Sequence, residues 1–180
     1  MSKYKLLLAL VVAAALLIPS LSMARKPKCQ WKGGDDPFSE QDMRHVYRSY
    51  YMGQLSYLFF PAREDGTVPV EVRVRYGAAI DAPYSKDVQF LLADDTVVKV
   101  SPVEPAEGIL TATESGVYTT FHIKTTASAE DVRKIYKSGG VKQVRFQFPG
   151  NDWDQKFRKA DIWHLGELAW CSMHADGDED

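Results

Sequence analysis

Between residues 68 and 76 the chain alternates without a break. Val68, Val70, Val72, Val74 and Tyr76 fall on one register, and Pro69, Glu71, Arg73 and Arg75 on the other. A period of two with charge on one register predicts a strand with one face buried and one wet. Such a strand needs a sheet around it, and the rest of the chain supplies candidates. Leu55 to Phe60 is a short apolar strand ending at Pro61. Val88–Leu92 and Thr96–Val100 flank Ala93-Asp94-Asp95 as a hairpin. Gly108 to Thr113 reads as a weaker strand, while Val117, Thr119, Phe121 and Ile123 alternate with Tyr118, Thr120, His122 and Lys124. Val144, Phe146 and Phe148 alternate with Gln143, Arg145 and Gln147.

Three stretches carry a helical period. Ser39, with Asp42 three residues on, looks like a capping box, and Met43, Val46, Tyr47 and Tyr50 recur at helical spacing, predicting a helix that ends near Gly53. Ser128 opens a second helix whose stripe is Ala129, Val132, Ile135 and Tyr136, stopped by Gly139-Gly140. A third runs from about Asp161 to Cys171, with Ile162, Leu165, Leu168 and Ala169 on one face. Residues 117–148 therefore read strand–helix–strand, a right-handed crossover if the two strands are parallel neighbours. Pro149 to Asp152 reads as a turn. The expected class is α+β, a mostly antiparallel sheet with helices packed on one face. A β-sandwich with helical decoration is the alternative.

The N-terminus has the form of a secretory signal. Lys3 and Lys5 precede an unbroken apolar run, Leu6 to Ile18, and Ser22-Met23-Ala24 offers small residues for cleavage before Arg25. That run of 13 residues is short for a bilayer span, which needs about 20. The expected organisation is a signal peptide over 1–24, one globular domain over 25–175, and an acidic disordered tail over 176–180. The location implied is periplasmic or extracellular, with no membrane span after cleavage. Asp176-Gly177-Asp178-Glu179-Asp180 has the spacing of half a calcium loop but lacks the remainder of its frame.

Of 180 residues, 22 are Lys or Arg and 24 are Asp or Glu, and the two signs balance between Arg25 and Ala175. A nucleic-acid binder would carry a basic excess, so that class is excluded. The chain has two cysteines, Cys29 and Cys171. In an oxidising compartment such a pair is most simply a disulfide, which would bring both ends of the domain together. No C-x-x-C supports a redox role, and two thiols cannot build a structural zinc site.

No nucleophile elbow, zincin helix, phosphate loop or dinucleotide fingerprint is present. His45, His122, His164 and His174 lie on separate elements. Asp42 with His45, and Asp161 with His164, have the spacing of a metal pair or of an acid orienting a base, a pattern that ordinary helix surfaces also carry. No cofactor is expected. Trp153, flanked by Asn151, Asp152 and Asp154, is either a stacking platform for a sugar or peptide or a loop residue folded over a core edge.

Three functional readings follow: an exported non-catalytic binding module, a small extracytoplasmic hydrolase built on dispersed His and carboxylate residues, and a structural envelope component. For the first, strand alternation supplies a surface. If residues 68–76, 117–123 and 144–148 share one sheet, their wet faces gather Arg73, Arg75, His122, Lys124 and Arg145 against Glu71 alone. The expected partner is an extracytoplasmic protein or an anionic ligand. If the strands fall in two sheets facing apart, the patch dissolves.

Overall fold

A computed structural model describes residues 27–33 and 44–175. The expected signal segment, the helix start at Ser39 with Asp42, and the acidic tail lie outside the described residues. The remainder is a mixed α+β fold, with antiparallel sheets and helices packed against them.

Among the described residues nine strands run in order: β1 (Val46–Tyr50), β2 (Leu55–Phe59), β3 (Thr67–Tyr76), β4 (Val88–Leu92), β5 (Val97–Val100), β6 (Gly108–Thr113), β7 (Gly116–Ser128), β8 (Val141–Phe148) and β9 (Asn151–Lys156). Helix α1 (Ala129–Lys137) lies between β7 and β8, and α2 (Ile162–Met173) closes the described chain. The larger sheet has the order β1-β2-β3-β7-β6, the smaller β5-β4-β8-β9, and every pairing is antiparallel. Two sheets stand where one was expected, although they form no closed sandwich. The predicted crossover is corrected with it: α1 carries the chain from β7 in one sheet to β8 in the other.

The alternating residues of β3 go where their period sends them. Val68, Val70, Val72 and Val74 are buried, and Arg75 on the other register is exposed. Aromatic rings join the sheets across the interior, with Tyr57 of β2 at 6.0 Å from Phe90 of β4 and Phe121 of β7 at 5.4 Å from Phe148 of β8. Helix α1 caps itself through Ser128, whose Oγ accepts from the Asp131 N–H at 3.0 Å, and it buries Val132 and Ile135. Helix α2 buries Leu165, Leu168 and Ala169 and packs on α1, on β1 and β2 of the larger sheet, and on β8 of the smaller. The Cys29–Cys171 disulfide is present, with Cα atoms 5.5 Å apart, and it ties the first described segment to the last turn of α2. Among the described residues no helix is long and apolar enough to cross a membrane.

The region 46–53 departs from expectation. It is a strand followed by a single 3-10 turn, Tyr51–Gly53. Val46 and Tyr50 are four apart, a spacing that satisfies the helical and the strand period alike. Pairing decides it: Val46 faces Phe59, Arg48 faces Tyr57 and Tyr50 faces Leu55 across the β1–β2 hairpin. Val-Tyr-Arg-Ser-Tyr is rich in β-branched and aromatic residues, which suit that half-buried surface. As a strand, the segment puts Arg48 on the same face as buried Val46 and Tyr50.

Candidate functional site

Part of the expected cationic set lies on one pair of strands. In the β3–β7 register Arg73 lies opposite His122, Glu71 opposite Lys124 and Arg75 opposite Thr120, so four of the predicted residues share one wet face. Glu71 sits at its centre, with its Oε1 2.6 Å from Arg73 Nε and 3.2 Å from His122 Nδ1. Arg75 lies over the Tyr118 ring at 4.4 Å.

Arg145 and Trp153 do not join them, because β8 and β9 belong to the smaller sheet. Arg145 instead grips Asp154 with two donors, at 2.6 and 2.7 Å. That contact holds the Asp154 carboxyl below the usual range. Trp153 is on a strand, not in a loop. Its ring stands 5.4 Å from Phe146, half-buried against the core.

A second constellation lies at the outer edge of the larger sheet. A groove of about 670 Å³ is walled on one side by Tyr47, Arg48, Ser49, Tyr50 and Tyr51, and on the other by Arg158, Asp161 and His164. Consecutive strand residues point to opposite faces. A cavity that touches four strand residues in a row, Tyr47 to Tyr50, therefore runs along the edge of β1, not over either face. The opposite wall is the first turn of α2 and the segment leading into it.

Its chemistry can be read atom by atom. Arg48 Nη2 is 2.8 Å from His164 Nε2. A guanidinium only donates, so Nε2 accepts and the imidazole proton sits on Nδ1. Nδ1 is buried without a hydrogen-bond partner, and the nearest Asp161 oxygen stands off at 3.6 Å. Asp161 is engaged elsewhere, accepting from Arg158 Nε at 2.8 Å, and this pair holds its carboxyl below the usual range. Among the described residues no carboxylate lies within ion-pair distance of Arg48. The buried Tyr50 and Tyr57 hydroxyls also lack partners, and burial pushes the Tyr50 hydroxyl up. At the rim, Tyr51 takes a left-handed φ of 52°, followed by the fully exposed Met52 at 53°. Such strain in residues with side chains costs about 1–3 kcal/mol each and gathers at functional sites.

Burial and the Arg48 charge push the His164 imidazole below its ordinary value, against the opposing pull of Glu167 and Asp161. The folded chain therefore resists protonation that the unfolded chain accepts near pH 6.5. Stability is lost as pH falls from about 6.5 toward that lowered value and is untouched above it. In urea unfolding between pH 7.5 and 5, His164→Gln should show a shallower acid decline than the parent chain, Gln being able to accept from Arg48. Equal slopes would mean that His164 is not held neutral.

Among the described residues no group of three or more His, Cys, Asp and Glu is placed to hold a metal. His45 lies against Phe60, and His174 stacks on Trp170 at 4.3 Å. Of the His and carboxylate residues singled out in the sequence, only Asp161 and His164 enter the groove, beside Tyr47 and Tyr50 from the expected helical stripe. Arg48 and Arg158 were missed. The available signals were the place of Arg48 midway between two residues that any strand reading must bury, and the i,i+3 spacing of Arg158 and Asp161.

No protein-family model matches this chain, and no significant match was found among curated proteins or solved structures. Function is accordingly read from the residues and their geometry.

Proposed function

We propose that this chain is an exported, non-catalytic binding module whose partner is anionic, held in the groove between β1 and α2. The observation that carries the reading is Arg48, which has no carboxylate within ion-pair distance among the described residues and is fixed by a neutral His164 at the wall of a cavity. A guanidinium so placed keeps donors in the forked geometry that fits a carboxylate or a phosphate. The partnerless Tyr50 hydroxyl and His164 Nδ1 beside it are polar atoms of the kind a ligand satisfies. A general-base role for His164 fits poorly, since Nε2, its one acceptor atom, is already taken by Arg48. Export rests on the signal-like segment Lys3 to Ala24, whose cleavage would leave Arg25 first. A disulfide as the chain's sole cysteine pairing accords with an oxidising compartment.

The β3–β7 face supports a second reading, because Arg75 and Lys124 make no ion pair among the described residues. Titration with acetate and inorganic phosphate, followed by backbone amide shifts, separates the two. The expected result is a set of shifts confined to residues 47–51 and 158–164, with affinity reduced by about tenfold or more in Arg48→Glu and unchanged in Arg73→Glu. Binding lost only in Arg73→Glu would move the site to the sheet face and overturn the groove.

A further inference from the structure

The groove has a backbone floor. Just outside the two ends of β2, the Phe60 N–H donates to the Pro69 carbonyl at 3.1 Å and the Gln54 carbonyl accepts from the Arg75 N–H at 2.8 Å, continuing the register of the β2–β3 pairing. Even-numbered residues of this strand thus bond toward β3, and Leu55, Tyr57 and Phe59 bond toward β1, where they face Tyr50, Arg48 and Val46. Antiparallel ladders alternate in this way. On β1 it follows that even-numbered residues use their backbone groups inside the sheet and odd-numbered ones look outward. His45 obeys the rule just before the strand begins: its N–H and carbonyl both bond Lys32, at 2.9 and 2.8 Å, in an antiparallel bridge. Beyond that bridge the N–H and carbonyl groups of Tyr47 and Ser49 point out of the sheet with no partner among the described residues. The left-handed turn at Tyr51 then ends the edge. The open stretch is short, and it is the stretch that the groove follows.

We infer that the groove takes an extended acidic peptide, which pairs with the outward backbone groups of Tyr47 and Ser49 and sets a carboxylate on Arg48. The inference rests on the anionic-partner reading and adds to it the kind of partner and its pose. If peptide residues pair with Tyr47 and Ser49 through exchanged hydrogen bonds, the residue between them falls opposite Arg48 as a non-hydrogen-bonded pair. In such pairs the side chains approach most closely and leave the sheet on the same face. An acidic side chain at that central position meets the guanidinium directly, while its two neighbours supply the backbone bonds. Strand addition of this type draws affinity from the main chain and selectivity from alternate side chains.

The test uses the blocked pentapeptide threonine–valine–glutamate–valine–threonine amide and follows the amide shifts of residues 47–51. Replacing its glutamate by glutamine should weaken binding by about tenfold or more. N-methylation of both valines, which keeps the charge and removes the two N–H donors that face β1, should also weaken it by about tenfold. N-methylation of the glutamate, whose N–H points away from β1, should leave binding unchanged. If methylation at valine and at glutamate cost the same while glutamine still weakens binding, strand addition is wrong and the anion reading stands. If the pentapeptide, acetate and phosphate all leave these amides unmoved, both fall together.

Discussion

Replacing Cys29 and Cys171 by alanine should lower the stability of the fold by up to roughly 5 kcal/mol, the loop-closure value for cysteines this far apart in sequence. The separation is 142 residues, so in the unfolded chain the bond closes a long loop. The native contacts point the same way. Cys171 is buried in the last turn of α2, where Ser172 also accepts from the Ala62 N–H at 2.9 Å. The segment around Cys29 is held by the disulfide, by Trp31 against the core and by the Lys32–His45 bridge. Without the bond that segment frays first, and it takes with it the bridge that begins the β1 edge. Urea unfolding of the oxidised chain and of the double variant gives the difference directly. A loss under about 1 kcal/mol would show that the unfolded chain already keeps its ends together.

The sequence made the strands with a covered face easy to find. Alternation in residues 68–76, 119–123 and 144–148 is a direct imprint of one wet and one dry side, although Val117, expected on the dry side, is exposed, and the caps at Ser128 and Gly139-Gly140 bracket α1 by local chemistry alone. Which sheet each strand joins is another matter. Nothing local to Arg145 records that β8 pairs with β4 and not with β7, because that choice is made by where α1 docks. The residues of β9 look like turn and loop for a related reason. It is an edge strand that turns only Trp153 toward the core, so its Asn, Asp, Gln and Lys residues carry no apolar period.

The groove was hidden by an ambiguity of period. Val46 and Tyr50 fit a helix or a strand, and as a helix the segment would have placed Arg48 well round from them, away from any core-facing position. Only the pairing with Leu55–Phe59 brings Arg48 in line with its buried neighbours, at an edge where its charged end reaches His164. The residue that carries the functional reading is thus the one whose placement depends most on tertiary pairing. Local preference and tertiary demand part company at the site, as they do at the left-handed Tyr51 and Met52.

The wall of the groove opposite Arg48 depends on one glycine. Gly140→Ala should destabilise the fold by about 3–5 kcal/mol, combining left-handed strain with overpacking. Gly140 has φ +110°, and a Cβ there would stand 2.0 Å from the Ile162 carbonyl oxygen and 3.0 Å from Trp163 Cα. These are backbone atoms of the first turn of α2, which cannot rotate away as a side chain would. Nor can Gly140 retreat, since its N–H bonds the Ile135 carbonyl and its own carbonyl accepts from the Ala93 N–H at 3.0 Å. Relief must come from α2, whose Gly166 passes close over Gly140 and whose first turn carries His164. Any shift there moves His164 relative to Arg48, so acetate binding should weaken along with stability. Gly139→Ala is the matched control. Its φ is +88°, yet a Cβ there would meet only Ala93 at 3.9 Å, which leaves strain without a clash and a cost of about 1 kcal/mol. Urea unfolding of the two variants side by side decides the matter. If Gly140→Ala costs no more than Gly139→Ala, the contact with α2 yields freely, and this glycine does not position the groove.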